Sequence, residues 1–222
     1  MTPNQVTMLR VAAAFAAVAL FTFFGARLIA DLAAVSLTIA AIALDGVDGY
    51  LARTRGLATP LGAQLDILGD RVVENLFFTF FAASGLISFW VPVLFFVRGT
   101  VTDFLRGIAA RSGRTAFGRN SMLETWWGRT LVASRPSRVA YATLKCSCFC
   151  CLGLLLPLRQ FSMLGSSLAL TRNWLPAIAE ALVCATVAFC AIRALPVIWE
   201  GRRYFGRGEG KGLSRAIAQV TR

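Results

Sequence analysis

Polar residues interrupt this chain so rarely that the interruptions mark off six apolar stretches. With loose ends, they run over about 8–24, 28–52, 62–85, 89–110, 137–156 and 174–200. Each is near the ~20 residues that cross a bilayer. In hydrocarbon a helix is the form in which one segment satisfies all its own backbone groups. The pattern therefore predicts an all-α integral membrane bundle of six transmembrane helices. One region breaks the series. Residues 111–138 carry several arginines and the run MLETWW; they read as an amphipathic interfacial stretch with Trp126 and Trp127 at headgroup depth, or else as a plain polar loop. The start, MTPNQVTMLRVAAAFAAVALF, has the outline of a signal peptide, but further spans follow, which favours an uncleaved first helix.

Composition agrees with the pattern. Of 222 residues, 57% are hydrophobic and 15% charged, against about 25% charged in soluble domains, and the mean hydropathy is +0.65. We expect one membrane domain over 1–205 and a basic tail over 206–222. The net charge of +12 is distributed unevenly. Arg53, Arg55, the six arginines Arg111, Arg114, Arg119, Arg129, Arg135 and Arg138, and the tail all fall on one side of the six-span topology. Arg27, Arg159 and Arg172 fall on the other. Arginine and lysine collect on the cytoplasmic side, so both termini and the site between them are expected at the cytoplasmic face of the inner membrane. In so apolar a chain the positive charge suits anionic lipid headgroups better than nucleic acid.

There is no histidine, which removes imidazole as a base and as a metal ligand. Six cysteines occur, four of them in CSCFCC (Cys146, Cys148, Cys150, Cys151). Their spacing is neither a metal-site pair of pairs nor a disulfide framework; they read as small helix-packing residues.

Against this background four aspartates stand out: Asp45, Asp48, Asp66 and Asp70, in LDGVDGYLARTRGLATPLGAQLDILGD. Carboxylates near hydrocarbon are costly and point to function by default. Asp45 and Asp48 are spaced i, i+3, and Asp66 and Asp70 i, i+4, so on helices each pair shares a face. A short turn with Gly56 and Pro60 separates the pairs, which predicts an antiparallel return that brings all four carboxylates together. Four so close cannot all stay ionised without cations. An all-oxygen donor set favours Mg²⁺ or Mn²⁺, one or two ions. The structural alternative is charge pairing with Arg53, Arg55 and Arg71. Gly46, Gly49, Ala52 and Gly62 leave room for a nucleotide or a neighbouring helix.

The same stretch reads D-x2-D-G-x2-A-R-x8-G-x3-D-x3-D, through Asp45, Asp48, Gly49, Ala52, Arg53, Gly62, Asp66 and Asp70. It resembles the signature of the CDP-alcohol phosphatidyltransferases at every fixed position. The start, with Pro3, Asn4, Thr7 and Arg10, is similar to that family's N-terminal segment. The resemblance implies displacement of CMP from a CDP-linked lipid, such as CDP-diacylglycerol, by a small alcohol. It implies that Asp45, Asp48, Asp66 and Asp70 are metal ligands, with Asp70 serving also as the general base. It further implies that Gly49, Ala52, Arg53 and Gly62 line the cytidine and pyrophosphate pocket, and that the enzyme is a homodimer among membrane lipids.

Arg106, Arg138 and Arg193 are each expected at the same end of the bundle. Arginines grouped near a metal site suit a phosphate, so we expect a phosphorylated acceptor. Glycerol 3-phosphate, as in a phosphatidylglycerophosphate synthase-like enzyme, is favoured over inositol phosphate, as in a phosphatidylinositol phosphate synthase-like one. Each arginine alone would also suit snorkelling to the interface, while Arg98, Asp103, Lys145 and Glu180 are more central and available for pairing. The rival readings are an aspartate-rich prenyltransferase, an ion-coupled transporter and an inactive homologue.

Overall fold

The computed structural model describes residues 2–25, 27–54, 59–111, 123, 125–163 and 169–202. The tail 206–222 lies outside the described residues, as does most of the stretch between 111 and 125. Every regular element described is helical: α1 (Pro3–Phe23), α2 (Leu28–Thr54), α3 (Pro60–Ala83), α4 (Trp90–Arg111), a single turn α5 (Trp126–Gly128) that runs into a π-helical turn (Arg129–Ala133), α6 (Arg135–Met163) and α7 (Ala169–Gly201). The six long helices coincide with the six apolar stretches. The ends differ most in the last two. Helix α6 continues through Pro157 to Met163, and α7 begins at Ala169, five residues before Trp174. A proline inside a membrane helix is tolerated because neighbouring groups satisfy the carbonyl it frees.

Two helix starts are set by local chemistry. At α1, Thr2 and Gln5 form a reciprocal capping box with Pro3 in the first turn. The Gln5 amide donates to Thr2 Oγ1, and the Thr2 amide donates to Gln5 Oε1. At α3, Thr59 accepts from the Gly62 amide at 3.0 Å and Pro60 takes the first helical position.

Among the described residues, three helices are long and apolar enough to cross a membrane: Asn4–Phe23, Arg135–Leu158 and Trp174–Arg202. The apolar part of α2, Ile29–Leu44, is shorter. Helices α3 and α4 carry Asp66, Asp70, Glu74, Arg98, Asp103 and Arg106 within their length, so the charges that suggest function also depress their hydropathy. Phe15, Ile29, Phe96, Phe104 and Leu195 are exposed, an apolar surface suited to lipid.

The chain divides into two compact units, one of residues 1–96 with 142–187 and the other of 97–141 with 188–222. In the first, α1 packs on α2 and α3. Ala14, Ala17, Ala34 and Ala41 are fully buried; small side chains let helices approach closely where lipid offers no hydrophobic drive. Its core is aromatic. Phe78 meets Phe95 at 4.2 Å and Phe149 at 4.8 Å between ring centroids, and Phe77 meets Phe149 at 5.2 Å. In the second unit Leu105, Ala109, Leu123, Val132 and Val197 form the core.

Candidate functional site: an arginine-held aspartate pair on α3

In the first unit, Asp66 and Asp70 lie one turn apart in the N-terminal half of α3, as their spacing predicts. What holds them is Arg10 of α1. Its side chain is 1% exposed, while those of Asp66 and Asp70 are 46% and 47% exposed. Arg10 Nη1 lies 3.1 Å from Asp70 Oδ1, and Nη2 lies 3.6 Å from Asp66 Oδ1; Nη2 also donates to the Asp66 carbonyl at 3.3 Å. A buried guanidinium costs desolvation unless its donors are satisfied, and its rigid fork suits two carboxylates on one helix face. The arrangement needs Gly69. A Cβ at that position would stand 2.8 Å from Arg10 Nη2 and 2.8 Å from Thr7 Cγ2, so a side chain between the two aspartates would push α1 off α3.

One turn further along α3, the buried Glu74 continues the acidic face. Its Oε1 meets Lys145 Nζ of α6 at 3.2 Å, and its Oε2 meets Arg71 Nη1 at 3.0 Å. Arg10, Asp70, Glu74 and Lys145 line a cavity of about 70 Å³ with Cys146 and Phe149. That volume holds a few waters, each of which needs ~10–15 Å³.

Gly62 stands in the first turn of α3, where a Cβ would come within 3.0 Å of both Asn4 Oδ1 and Thr59 Oγ1. Its missing side chain therefore makes room for the start of α1. Asp45, Asp48, Gly49, Ala52 and Arg53 lie in the C-terminal part of α2, and their side chains lie outside the described residues.

The three arginines expected at an acceptor phosphate all belong to the second unit. Arg98, Arg106 and Arg138 lie within electrostatic range of Arg193. Their contacts are specific. Arg106 pairs with Asp103 at 3.4 Å, one turn back on α4. Arg193 is buried, with Nη1 donating to the Leu131 carbonyl at 2.9 Å and to Ser137 Oγ at 2.6 Å, and Nη2 to the Val132 carbonyl at 3.3 Å. Its guanidinium also faces the Tyr141 ring at 5.2 Å, and that of Arg98 lies 5.9 Å from the same ring. Arg193 thus holds the end of the π-helical turn, and a snorkelling role does not describe it. Nearby, buried Glu200 accepts from the amide and hydroxyl of Thr125, anchoring α5 with Trp126 81% exposed, as an interfacial element requires. Of the central charges, Asp103 pairs with Arg106 and Lys145 with Glu74.

Comparison with known proteins matches residues 1–189 to the family model for CDP-alcohol phosphatidyltransferase. The chain belongs to the CDP-alcohol phosphatidyltransferase family. It is a transferase, and neither a transporter nor a prenyltransferase accounts for that match. A similar protein is the CDP-diacylglycerol–glycerol-3-phosphate 3-phosphatidyltransferase of Bacillus subtilis (strain 168), 30% identical over 135 residues, which are 56% of this chain and 70% of the relative.

For a phosphatidyltransferase the donor chemistry on α3 fits a hard divalent cation. Asp66 and Asp70 offer carboxylate oxygens only, half open to solvent, and the chain has no histidine. Among the described residues no three acidic or cysteine side chains form a ligand group. Asp66 and Asp70 are then the described half of the expected set. Reading by residue type missed the Arg10 clamp, the place of Gly69, and the Glu74–Lys145 pair. The first and last had a signal: Arg10 was a fixed position of the N-terminal segment, and Glu74 extends the i, i+4 ladder of Asp66 and Asp70.

Proposed function

We propose that the protein transfers a phosphatidyl group from CDP-diacylglycerol or a similar CDP-linked lipid to a phosphorylated alcohol, with glycerol 3-phosphate the favoured acceptor. The observation that carries this reading is the aspartate pair on α3, clamped by Arg10 from behind and half open in front, at the end of an unbroken eight-position signature. Asp45, Asp48, Asp66 and Asp70 would hold Mg²⁺ or Mn²⁺, two ions in all. Bound there, the ions would offset the charge of the pyrophosphate and of departing CMP. Asp70 takes the proton of the acceptor hydroxyl as that oxygen attacks the β-phosphorus. The bond from the β-phosphorus to the bridging oxygen breaks, and CMP leaves with the electron pair. With no histidine in the chain, a carboxylate is the available base. Gly49, Ala52, Arg53 and Gly62 line the nucleotide side.

The acceptor assignment is supported by Arg106 and Arg138 lying within electrostatic range of Arg193, which suits a phosphate dianion, and by the similarity to the glycerol-3-phosphate 3-phosphatidyltransferase of Bacillus subtilis. The arginine distribution supports both termini and the site at the cytoplasmic face of the inner membrane; the apolar pattern supports six spans in a membrane domain over 1–205 with a basic tail over 206–222, and a homodimer is what the family implies. The test is CMP release by purified protein from CDP-diacylglycerol with Mn²⁺ or Mg²⁺, across glycerol 3-phosphate, inositol phosphate, inositol, serine and choline. Release that requires glycerol 3-phosphate supports the full reading. Release with inositol phosphate alone keeps the mechanism and replaces the acceptor; release with serine or choline alone removes the role given to the arginines.

A further inference from the structure

A second cavity, of about 490 Å³, lies in the first unit where the turn between α3 and α4 meets α6 and α7. Its walls are largely apolar, among them Ile87, Val91, Leu152 and Leu155, and its polar residues include Ser88 and Glu180. This is not the aspartate site: thirteen residues of helix, about 20 Å at 1.5 Å per residue, separate Asp70 from the end of α3. We propose that this cavity binds a membrane lipid whose headgroup carries a primary ammonium group, with the ammonium on Glu180 and the hydrocarbon along the apolar walls.

Three observations carry this. First, Glu180 sits inside a stretch long and apolar enough to cross a membrane, Trp174–Arg202. Acidic residues in such stretches are rare and mark pathways or ligand sites. Among the described residues Glu180 has no ion-pair partner, in contrast to Glu74, Asp66, Asp70 and Asp103. Second, the cavity has the size and lining of a ligand pocket: a few hundred cubic ångströms, mostly apolar, with a few polar groups. It is far larger than a water site, and its walls offer water few partners. Third, Phe89, Trp90 and Trp174 are all exposed and lie within two residues in sequence of the lining residues Ser88, Val91 and Pro176. Exposed aromatics of this kind mark the headgroup level of a bilayer, with Glu180 about 9 Å along α7 from Trp174. The sign and geometry of the polar groups choose the headgroup. A primary ammonium brings three N–H donors, for the carboxylate and the Ser88 hydroxyl. A quaternary ammonium has no donor, and a lipid with only an anionic headgroup meets a like charge.

Cys184 is exposed and lines the same cavity, one turn from Glu180, which provides a direct readout. Purified full-length protein in detergent is treated with a maleimide, and alkylation of the Cys184 peptide is followed by mass spectrometry. The mixed micelles contain phosphatidylethanolamine, phosphatidylcholine or phosphatidylglycerol. We expect phosphatidylethanolamine to slow Cys184 alkylation several-fold more than the other two. In Glu180→Gln that selectivity is lost, while the thermal midpoint, the lipid-free alkylation rate and CMP release stay as in the parent. Equal protection by all three lipids, or selectivity that survives in Glu180→Gln, overturns the proposal. The alkylation readouts do not depend on which acceptor the enzyme uses.

Discussion

The Arg10 clamp makes a stability prediction that separates it from an incidental contact. Removing Asp66 and Asp70 together, as Asp66→Asn/Asp70→Asn, takes away both carboxylates that face a guanidinium with 1% of its surface exposed. Breaking a buried ion pair from one side costs about 3–5 kcal/mol, because the remaining charge stays desolvated. Here the aspartates are half exposed and Glu74 lines the same small cavity, so the lower end, about 3 kcal/mol, applies. For a chain of this size 1 kcal/mol moves the melting midpoint by roughly 2–4 °C, so the double variant should melt about 6–12 °C lower. Adding Arg10→Met removes the stranded charge and keeps most of the volume. The triple variant should therefore regain most of the loss, since replacing a whole buried pair with apolar groups is often near neutral. Tryptophan fluorescence during heating in detergent measures all three. A double variant that melts with the parent, or a triple variant that melts lower still, would refute the clamp.

Other outcomes follow from the same geometry. Asp66→Asn should abolish metal-dependent CMP release while the protein still inserts and binds detergent as a monodisperse species; unchanged turnover would remove it from the ligand set. Asp70→Asn should lower turnover by about 10²–10⁴-fold and leave nucleotide binding, read by calorimetry with CDP, within a few-fold of the parent. Arg138→Ala should raise the KM for glycerol 3-phosphate far more than that for CDP-diacylglycerol; Arg193→Ala should do so and also lower the melting midpoint, because it frees the Leu131 and Val132 carbonyls. Gly69→Val should destabilise by about 1–3 kcal/mol through overpacking, visible as a lower midpoint, and a midpoint equal to the parent's would show that α1 and α3 have room to part.

Much of the architecture was legible because hydrocarbon permits few solutions. Twenty apolar residues must become a helix, and the six stretches each did, with α6 and α7 extended at their ends where polar residues such as Arg159 and Arg172 hid the continuation. Asp66 and Asp70 were legible from spacing alone, since an i, i+4 pair on a helix shares a face wherever the helix goes. Their partner was not, because Arg10 is 56 residues away from Asp66 and sequence spacing carries no information on which α1 residue meets α3. The same holds for Lys145 with Glu74 and for Glu200 with Thr125, pairs joined only by tertiary packing. The arginine set was partly legible. Their placement at one end was an expectation from the apolar pattern, but the backbone carbonyls that Arg193 engages belong to a π-helical turn that has no periodic signal. Gly62 carries a double reading. The motif assigns it to the nucleotide, while its nearest neighbours are Asn4 and Thr59.

The most direct test of the account is metal dependence at the aspartates. Purified protein stripped with EDTA is given CDP-diacylglycerol and glycerol 3-phosphate, and CMP is measured before and after Mn²⁺ is restored, for the parent and for Asp66→Asn. The account predicts no CMP without metal, recovery on adding Mn²⁺ in the parent, and none in Asp66→Asn. CMP release that continues in EDTA, or equal recovery in Asp66→Asn, would contradict it.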